Sequence, residues 1–520
     1  VILLDGSSLT LDTLDAIARR HERVALAPHA IARVRASRAV IDRHADAGTP
    51  VYGVNTGFGA LADVAIPAGD LAALQLNLIR SHAAGVSEPL PVPAVRGLMA
   101  LRANVLAKGF SGIRLETLEA LLALLNADVH PRIPSRGSVG ASGDLAPLAH
   151  LALVLVGEGQ VLAPVTENTS GMFFGGSKNI PDVFSGADAL ARAGLRPVTL
   201  AAKEGLALIN GTQASTATLG LAVVAAERLA RVADIAAALS IDALRGSMHP
   251  FESRIHTARP VPGQVASADN LWRLLQGSAI NHSHEHCGKV QDAYALRCTP
   301  QVHGSAREAM AFARRIAEID ANSATDNPMV FADTGDIVSG GNFHGAAIAL
   351  AADTLTIGLA QIATISERRT DRLMNPHESG LPPFLVHQSG LNSGFMMAHV
   401  TAAALASEMK TLAHPAGVDT IPTSAGREDH VSMSMGAALK AARALDLAEH
   451  VLAIELLAAC QAIDLLAPLT TTEPLEAVRR AIRAEVPTLD RDRPPAPDIA
   501  RIVSLVTSDT LTRASRIDLG

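Results

Sequence analysis

The chain is 520 residues long, 48% hydrophobic, 18% charged and only 3% aromatic, which describes a large folded chain with a core of Ala, Leu, Val and Ile and excludes a disordered or low-complexity one. A net charge of −7, with Lys and Arg dispersed, offers no basic stripe for nucleic acid and no patch for a membrane surface. Its three cysteines, Cys287, Cys298 and Cys460, are too scattered for a disulfide framework and suit a reducing cytoplasm, where the protein is expected.

The chain opens on Val1-Ile-Leu-Leu4, followed at once by Asp5, which does not read as a signal peptide. Length alone allows roughly three or four domains, yet no Pro/Ser-rich or charge-run linker interrupts the sequence. The expected fold is mainly α: a long helical bundle over 201–520 forming the oligomer core, with a smaller N-terminal active-site portion over 1–200. Residues 164–186, rich in Gly and Ser and carrying Phe173, Phe174 and Phe184, read as a surface loop or as a cap over a neighbouring site. Apolar runs then predict helices over 345–368, 393–413 and 436–467, the last stopped by Pro468. That last run could pass for a membrane span, but Lys440, Arg443, Asp446, Glu449, His450, Glu455 and Asp464 interrupt it, so it reads as a buried bundle helix.

Within the N-terminal portion, residues 137–147 read Gly-Ser-Val-Gly-Ala-Ser-Gly-Asp-Leu-Ala-Pro. Glycine every third residue suits a tight turn or a phosphate cradle, but Asp144 puts negative charge where a phosphate would sit, and no Lys-Ser/Thr pair follows. A different chemistry is open to Ala141-Ser142-Gly143. Attack of the Gly143 amide nitrogen on the Ala141 carbonyl, with loss of two waters, closes an imidazolone ring and turns Ser142 into an exocyclic methylene. The product, 4-methylidene-imidazol-5-one, is an electrophile that no encoded side chain supplies. Ala141 is small enough to admit the attack, and Gly143 lets the backbone bend without a Cβ in the way.

On this string the chain resembles the aromatic amino acid ammonia-lyase family, on its histidine-specific side. The resemblance continues from Val51 to Asp498 through Tyr52-Gly-Val-Asn-Thr-Gly-Phe-Gly59, Ser81-His-Ala-Ala-Gly85, Gly109-Phe-Ser-Gly-Ile-Arg114, Leu208-Ile-Asn-Gly-Thr-Gln213, Gln291-Asp-Ala-Tyr-Ala-Leu-Arg297, Asp326-Asn-Pro328, Gly340-Gly-Asn-Phe-His344 and Glu428-Asp-His-Val-Ser432. It implies an all-helical homotetramer with active sites assembled from three subunits, the modified tripeptide at helix N-termini, an amino acid substrate, and no external cofactor or metal.

The reaction to explain is loss of ammonia from an α-amino acid together with a weakly acidic β-proton. The substrate amine adds to the methylene derived from Ser142 and becomes a better leaving group, and a base then removes the proton. By resemblance Tyr52 is that base, and Tyr294 assists the amine or the prosthetic group; these are the only tyrosines in the chain. A phenol titrating near ~10 is a poor base at neutral pH, so positive helix ends or cations would have to lower it. Arg297 is the candidate for the substrate carboxylate, which a guanidinium grips with two parallel hydrogen bonds. Asn210 and Gln291 match positions that bond the prosthetic group or substrate, with a structural hydrogen-bonding role open for either amide, and Phe343 matches one beside the ring. His82 and Glu428 speak for an imidazole side chain, since a carboxylate accepts its N–H and a histidine bonds its other edge. Together these residues imply conversion of L-histidine to trans-urocanate. A lyase or 2,3-aminomutase for tyrosine or a related aromatic is the alternative within the family, and a non-catalytic helical scaffold the alternative outside it.

Three features depart from the pattern or distract from it. Arg427 stands where the histidine-specific members have Gln, and is expected to pair with Glu428 and weaken its hold on imidazole. Ala293 replaces a Pro before Tyr294, a local backbone matter. His282-Ser-His-Glu-His-Cys287 has metal-ligand residue types without the spacing of separated ligand pairs, and reads as a loop.

Overall fold

Alanine and leucine at helical spacing, few aromatics and Gly or Pro at the ends of apolar runs favour long helices that approach closely. The computed structural model describes residues 1–46, 50–162, 183–284 and 290–520. Among them are 21 α-helices and four two-stranded sheets of short strands, so the fold is mainly α, as expected. The longest helices are Gln213–Ala243, Thr299–Ala321, Ala346–Met374 and Ser434–Leu465. Along the last of these Ala437, Ala438, Ala441, Ala444 and Ala448 are all fully buried, small side chains of a kind that permits close packing of helices.

The three helices read from sequence are present. Ala346–Met374 runs past the expected end at Arg368, Met396–Leu412 starts after the left-handed Gly394, and Ser434–Leu465 stops ahead of Pro468. Among the described residues Ala346–Met374, not the 436–467 run, is the helix long and apolar enough to cross a membrane, and 67% of its apolar window is buried inside the fold. The 164–186 segment lies outside the described residues except for its last four, where Val183–Ser185 pairs antiparallel with Gln160–Leu162. Glu285, His286 and Cys287 of the histidine-rich segment also lie outside them.

Two compact units can be distinguished. The first comprises Val1–Leu221, Arg314–Ala352 and Pro415–Leu439. Its helix Val92–Ala107 is buried from Ala94 onward, polar residues included: Arg96 donates to the Ile17 and Leu125 carbonyls, Arg102 to those of Ala207 and Asn210, and Asn104 to that of Ala321. Buried polar groups persist when their hydrogen bonds are met in this way.

The second unit comprises Ala222–Ala313, Asp353–His414 and Lys440–Gly520. Its helices are cross-linked by charge. Asp234 accepts from Ser267 Oγ at 2.7 Å, Asn270 Nδ2 at 2.9 Å and Arg307 Nη2 at 2.7 Å, and pairs with His303 Nδ1 at 2.7 Å. Glu455 takes a two-pronged grip from Arg369, at 2.5 and 3.0 Å, and a third bond from Ser240 Oγ at 2.7 Å.

Candidate active site

The glycine-rich segment lies in the first unit, where three helix N-termini converge on it. Ala141-Ser142-Gly143 leads through Asp144, the N-cap, into the Leu145–Leu155 helix. Gly143 takes φ +74° and pairs with Gly211, two residues ahead of the Gln213–Ala243 helix; Asp144 N donates to Gly211 O at 2.7 Å. A Cβ on Gly143 would lie 2.3 Å from Gly211 O, so only glycine fits. From the other side Met433 N donates to Val139 O at 2.8 Å and Ser432 Oγ to Gly140 O at 3.0 Å, just before Ser434–Leu465 begins. Helix N-termini carry partial positive charge and favour developing negative charge nearby.

Asp144 is fully buried and binds the turn together. It accepts from Ser138 Oγ at 2.8 Å and from Ser215 N and Oγ at 2.7 and 2.8 Å. Burial raises its pKa above the ordinary carboxylate value, while the Ser215 and Ser138 bonds pull it back.

Asn210 clamps the central serine. Its Nδ2 donates to Ser142 O at 2.9 Å and to Ser142 Oγ at 2.8 Å. Its Oδ1 is buried with no hydrogen-bond partner among the described residues. Arg102, which the sequence reading missed, holds the Asn210 carbonyl at 2.7 Å, Gln213 Oε1 at 2.7 Å and Ala207 O at 2.5 Å. A charged residue inside the apolar run Leu98-Met-Ala-Leu-Arg-Ala103 was the available signal.

A second group gathers around Glu428. Tyr52 is half-buried and edge-on to Phe58 at 6.3 Å between ring centroids, with the Gly59 backbone N–H near its hydroxyl. Burial pushes its pKa above the ordinary value, the Gly59 bond draws it down and the Glu428 charge adds to the rise. His82 closes the Leu71–His82 helix with Nδ1 2.8 Å from Leu78 O. A carbonyl can only accept, so Nδ1 carries the proton and the neutral ring presents Nε2 as an acceptor. Burial holds its pKa below the usual histidine value, with Leu78 and Glu428 pulling upward.

Glu428 itself is half-buried and accepts from Thr423 Oγ1 at 2.6 Å. The expected pairing of Arg427 with Glu428 is not what the structure shows. Arg427 is exposed and reaches Asp63 at 3.7 Å, in the loop that follows Tyr52. Phe343 is half-buried, and the next residue, His344, stacks on the His430 ring at 5.7 Å between centroids. Within this unit Gly59 lies against Ser424, Ser432 Oγ bonds Gly140 O, and Asn210 bonds Ser142.

Gln291, Tyr294 and Arg297 belong to the second unit. Tyr294 opens the short helix Tyr294–Arg297 and is 71% exposed. The Arg297 guanidinium carbon lies 4.7 Å from the Tyr294 ring centroid, and its buried Nε has no partner among the described residues. Gln291 is exposed.

Among the described residues, the ligand-type side chains that do cluster are His21, Asp128 and His130. Buried Arg96 already bonds Asp128 Oδ1 and stands 3.3 Å from His130 Nε2, so a fixed positive charge occupies the place a cation would need.

Residues 9–484 match the family described as "Aromatic amino acid lyase". A histidine ammonia-lyase from Anaeromyxobacter sp. (strain K) is 55% identical over 508 residues, 97% of this chain and 98% of its own. The structure of histidine ammonia-lyase from Trypanosoma cruzi matches with TM-score 0.89 at 46% identity, over 99% of this chain and 95% of that one. Tyrosine aminomutase from Streptomyces globisporus matches with TM-score 0.92 at 37% identity over 100% of both chains. The helical scaffold and its Ala-Ser-Gly turn therefore define a carbon–nitrogen lyase fold shared by ammonia-lyases and aminomutases. Within that class, the chain belongs to the aromatic amino acid lyase family.

Proposed function

We propose that this protein is an ammonia-lyase converting L-histidine to trans-urocanate and ammonia, with 4-methylidene-imidazol-5-one formed from Ala141-Ser142-Gly143 as its electrophile. The observation that carries this reading is the Asn210 clamp on both oxygens of Ser142, at a turn that only glycine fits, beside helix N-termini. The orphaned Asn210 Oδ1 also fits a group made in place there. Once formed, the ring supplies the electrophile that makes the substrate amine a leaving group.

The chain's own residues do the rest. Asn210 orients the ring, and the helix ends offset negative charge that builds on it. Tyr52 takes the β-proton. Burial and the Glu428 charge raise its pKa, so the downward pull comes from the Gly59 N–H and from the substrate's imidazolium, whose positive charge offsets that of Glu428 once it binds. Arg297 grips the substrate carboxylate, Tyr294 and Gln291 assist at the amine, and Phe343 packs against the substrate. Histidine is selected in its imidazolium form, with Glu428 accepting one ring N–H and His82 Nε2 accepting the other. The exposure of Tyr294 suits a residue that completes the site of a neighbouring subunit, as in a cytoplasmic homotetramer with sites shared among chains.

Intact mass of the purified protein tests the electrophile: the reading expects a deficit of two waters, absent in S142A together with the activity. A full-mass wild-type chain would leave the helical scaffold as the better reading. A tyrosine 2,3-aminomutase, which the Streptomyces globisporus likeness keeps in view, would instead return a β-amino acid and keep most of the ammonia.

A further inference from the structure

Glu428 is presented by an unusual reversal of the chain. Ser424, Ala425 and Gly426 take φ of +50°, +52° and +82°, left-handed backbone that residues with a Cβ adopt only at a cost. The reversal brings Thr423 and Glu428 face to face: Thr423 N donates to Glu428 O at 2.9 Å and Glu428 N to Thr423 O at 3.3 Å. The Thr423 hydroxyl donates to Glu428 Oε2 at 2.6 Å, while Oε1 accepts no hydrogen bond among the described residues. Arg427, the adjacent cation, is drawn off to Asp63 at 3.7 Å.

We propose that Thr423 is the positioning residue for substrate selection: its hydroxyl ties down Glu428 Oε2 and leaves Oε1 free to accept the N–H of the substrate's imidazole ring. The proposal rests on the reading above that Glu428 recognises that ring. A glutamate side chain has several rotamers to lose on binding, and a bond that removes this freedom beforehand lowers the cost of engaging substrate. The strained backbone of 424–426 is then the part of the loop that holds donor and carboxylate in register. Because a hydroxyl has one proton, committing it to Oε2 fixes which oxygen faces the substrate.

The test compares T423V, T423A, T423S and E428A with the wild type, on L-histidine and L-phenylalanine, with unfolding temperature and intact mass as checks that each variant is folded and carries the ring. Loss of a hydrogen bond to a charged group predicts a KM for L-histidine raised about tenfold in T423V and T423A, with a smaller fall in kcat. The preference for histidine over phenylalanine falls with it, and T423S restores both. If E428A loses that preference while T423V and T423A keep it, Glu428 recognises the ring without help and the positioning role is wrong. Equal damage in T423S and T423V would reduce Thr423 to a scaffold residue. If E428A keeps the preference, the imidazole reading of Glu428 fails, and the role of Thr423 with it.

Discussion

Asn210 binds two atoms of the residue proposed to lose its hydroxyl, so on that reading N210A should impair both making the electrophile and using it. Removing one preorganised donor of this kind costs on the order of 10²–10³ in rate; kcat should fall by that much, and intact mass should show a fraction of chains still carrying both waters. His130 gives a separate prediction about stability. Burial, with the Arg96 charge beside it, lowers its pKa from 6.5 to about 4, so as pH falls below 6.5 the unfolded chain takes up a proton that the folded chain refuses. Stability is therefore intact above 6.5 and lost progressively between 6.5 and about 4, by ~3 kcal/mol at full effect. In H130Q the fall of Tm across that window should be shallower; an unchanged slope would remove His130 from the acid response. Thr423 and Arg427 show where sequence stops at this scale. A threonine before Ser-Ala-Gly reads as a turn residue, and only the left-handed backbone after it brings its hydroxyl onto Glu428. The pairing expected between Arg427 and Glu428 followed adjacency in sequence, whereas the turn gives Arg427 to Asp63.

The long helices were legible because their signals are long. Apolar spacing sustained over Ser434–Leu465, ended by Pro468, leaves little choice of structure. The short strands were not, since pairs such as Ile2–Leu4 with Val24–Leu26 hold three residues each and show no period. What locks the helices together also escaped the sequence, because the partners lie far apart along it. Arg369 on Ala346–Met374 and Glu455 on Ser434–Leu465 are both fully buried. E455Q leaves the guanidinium uncompensated, which in buried pairs costs about 3–5 kcal/mol. Chemical denaturation should show that loss, and a loss below about 1 kcal/mol would mean that water or another group takes over. The motif segments, by contrast, marked the ends of these elements well: Gly143, Asn210 and Ser432 sit at or just beyond helix ends, where loops carry chemistry on a rigid frame.

At the scale of the whole molecule, the candidate residues fall into two sets. Tyr52, His82, Ser142, Asn210, Phe343 and Glu428 belong to one unit, and Gln291, Tyr294 and Arg297 to the other. The proposed sharing of sites among subunits predicts complementation: Y52F and R297A, each inactive alone, should regain measurable activity when co-expressed and purified as mixed oligomers. Mixtures as inactive as their parents would confine each site to one chain. Composition points to a large chain with an aliphatic core and the motif string to its chemistry; the proposed choice of substrate turns on His82 and Glu428. The most direct measurement is to give the purified protein L-histidine, L-tyrosine and L-phenylalanine separately, following the conjugated acrylate by near-ultraviolet absorbance and free ammonia in the same samples. Urocanate and ammonia in equal amounts, from histidine alone, is the predicted result; product from tyrosine or phenylalanine with none from histidine would contradict it.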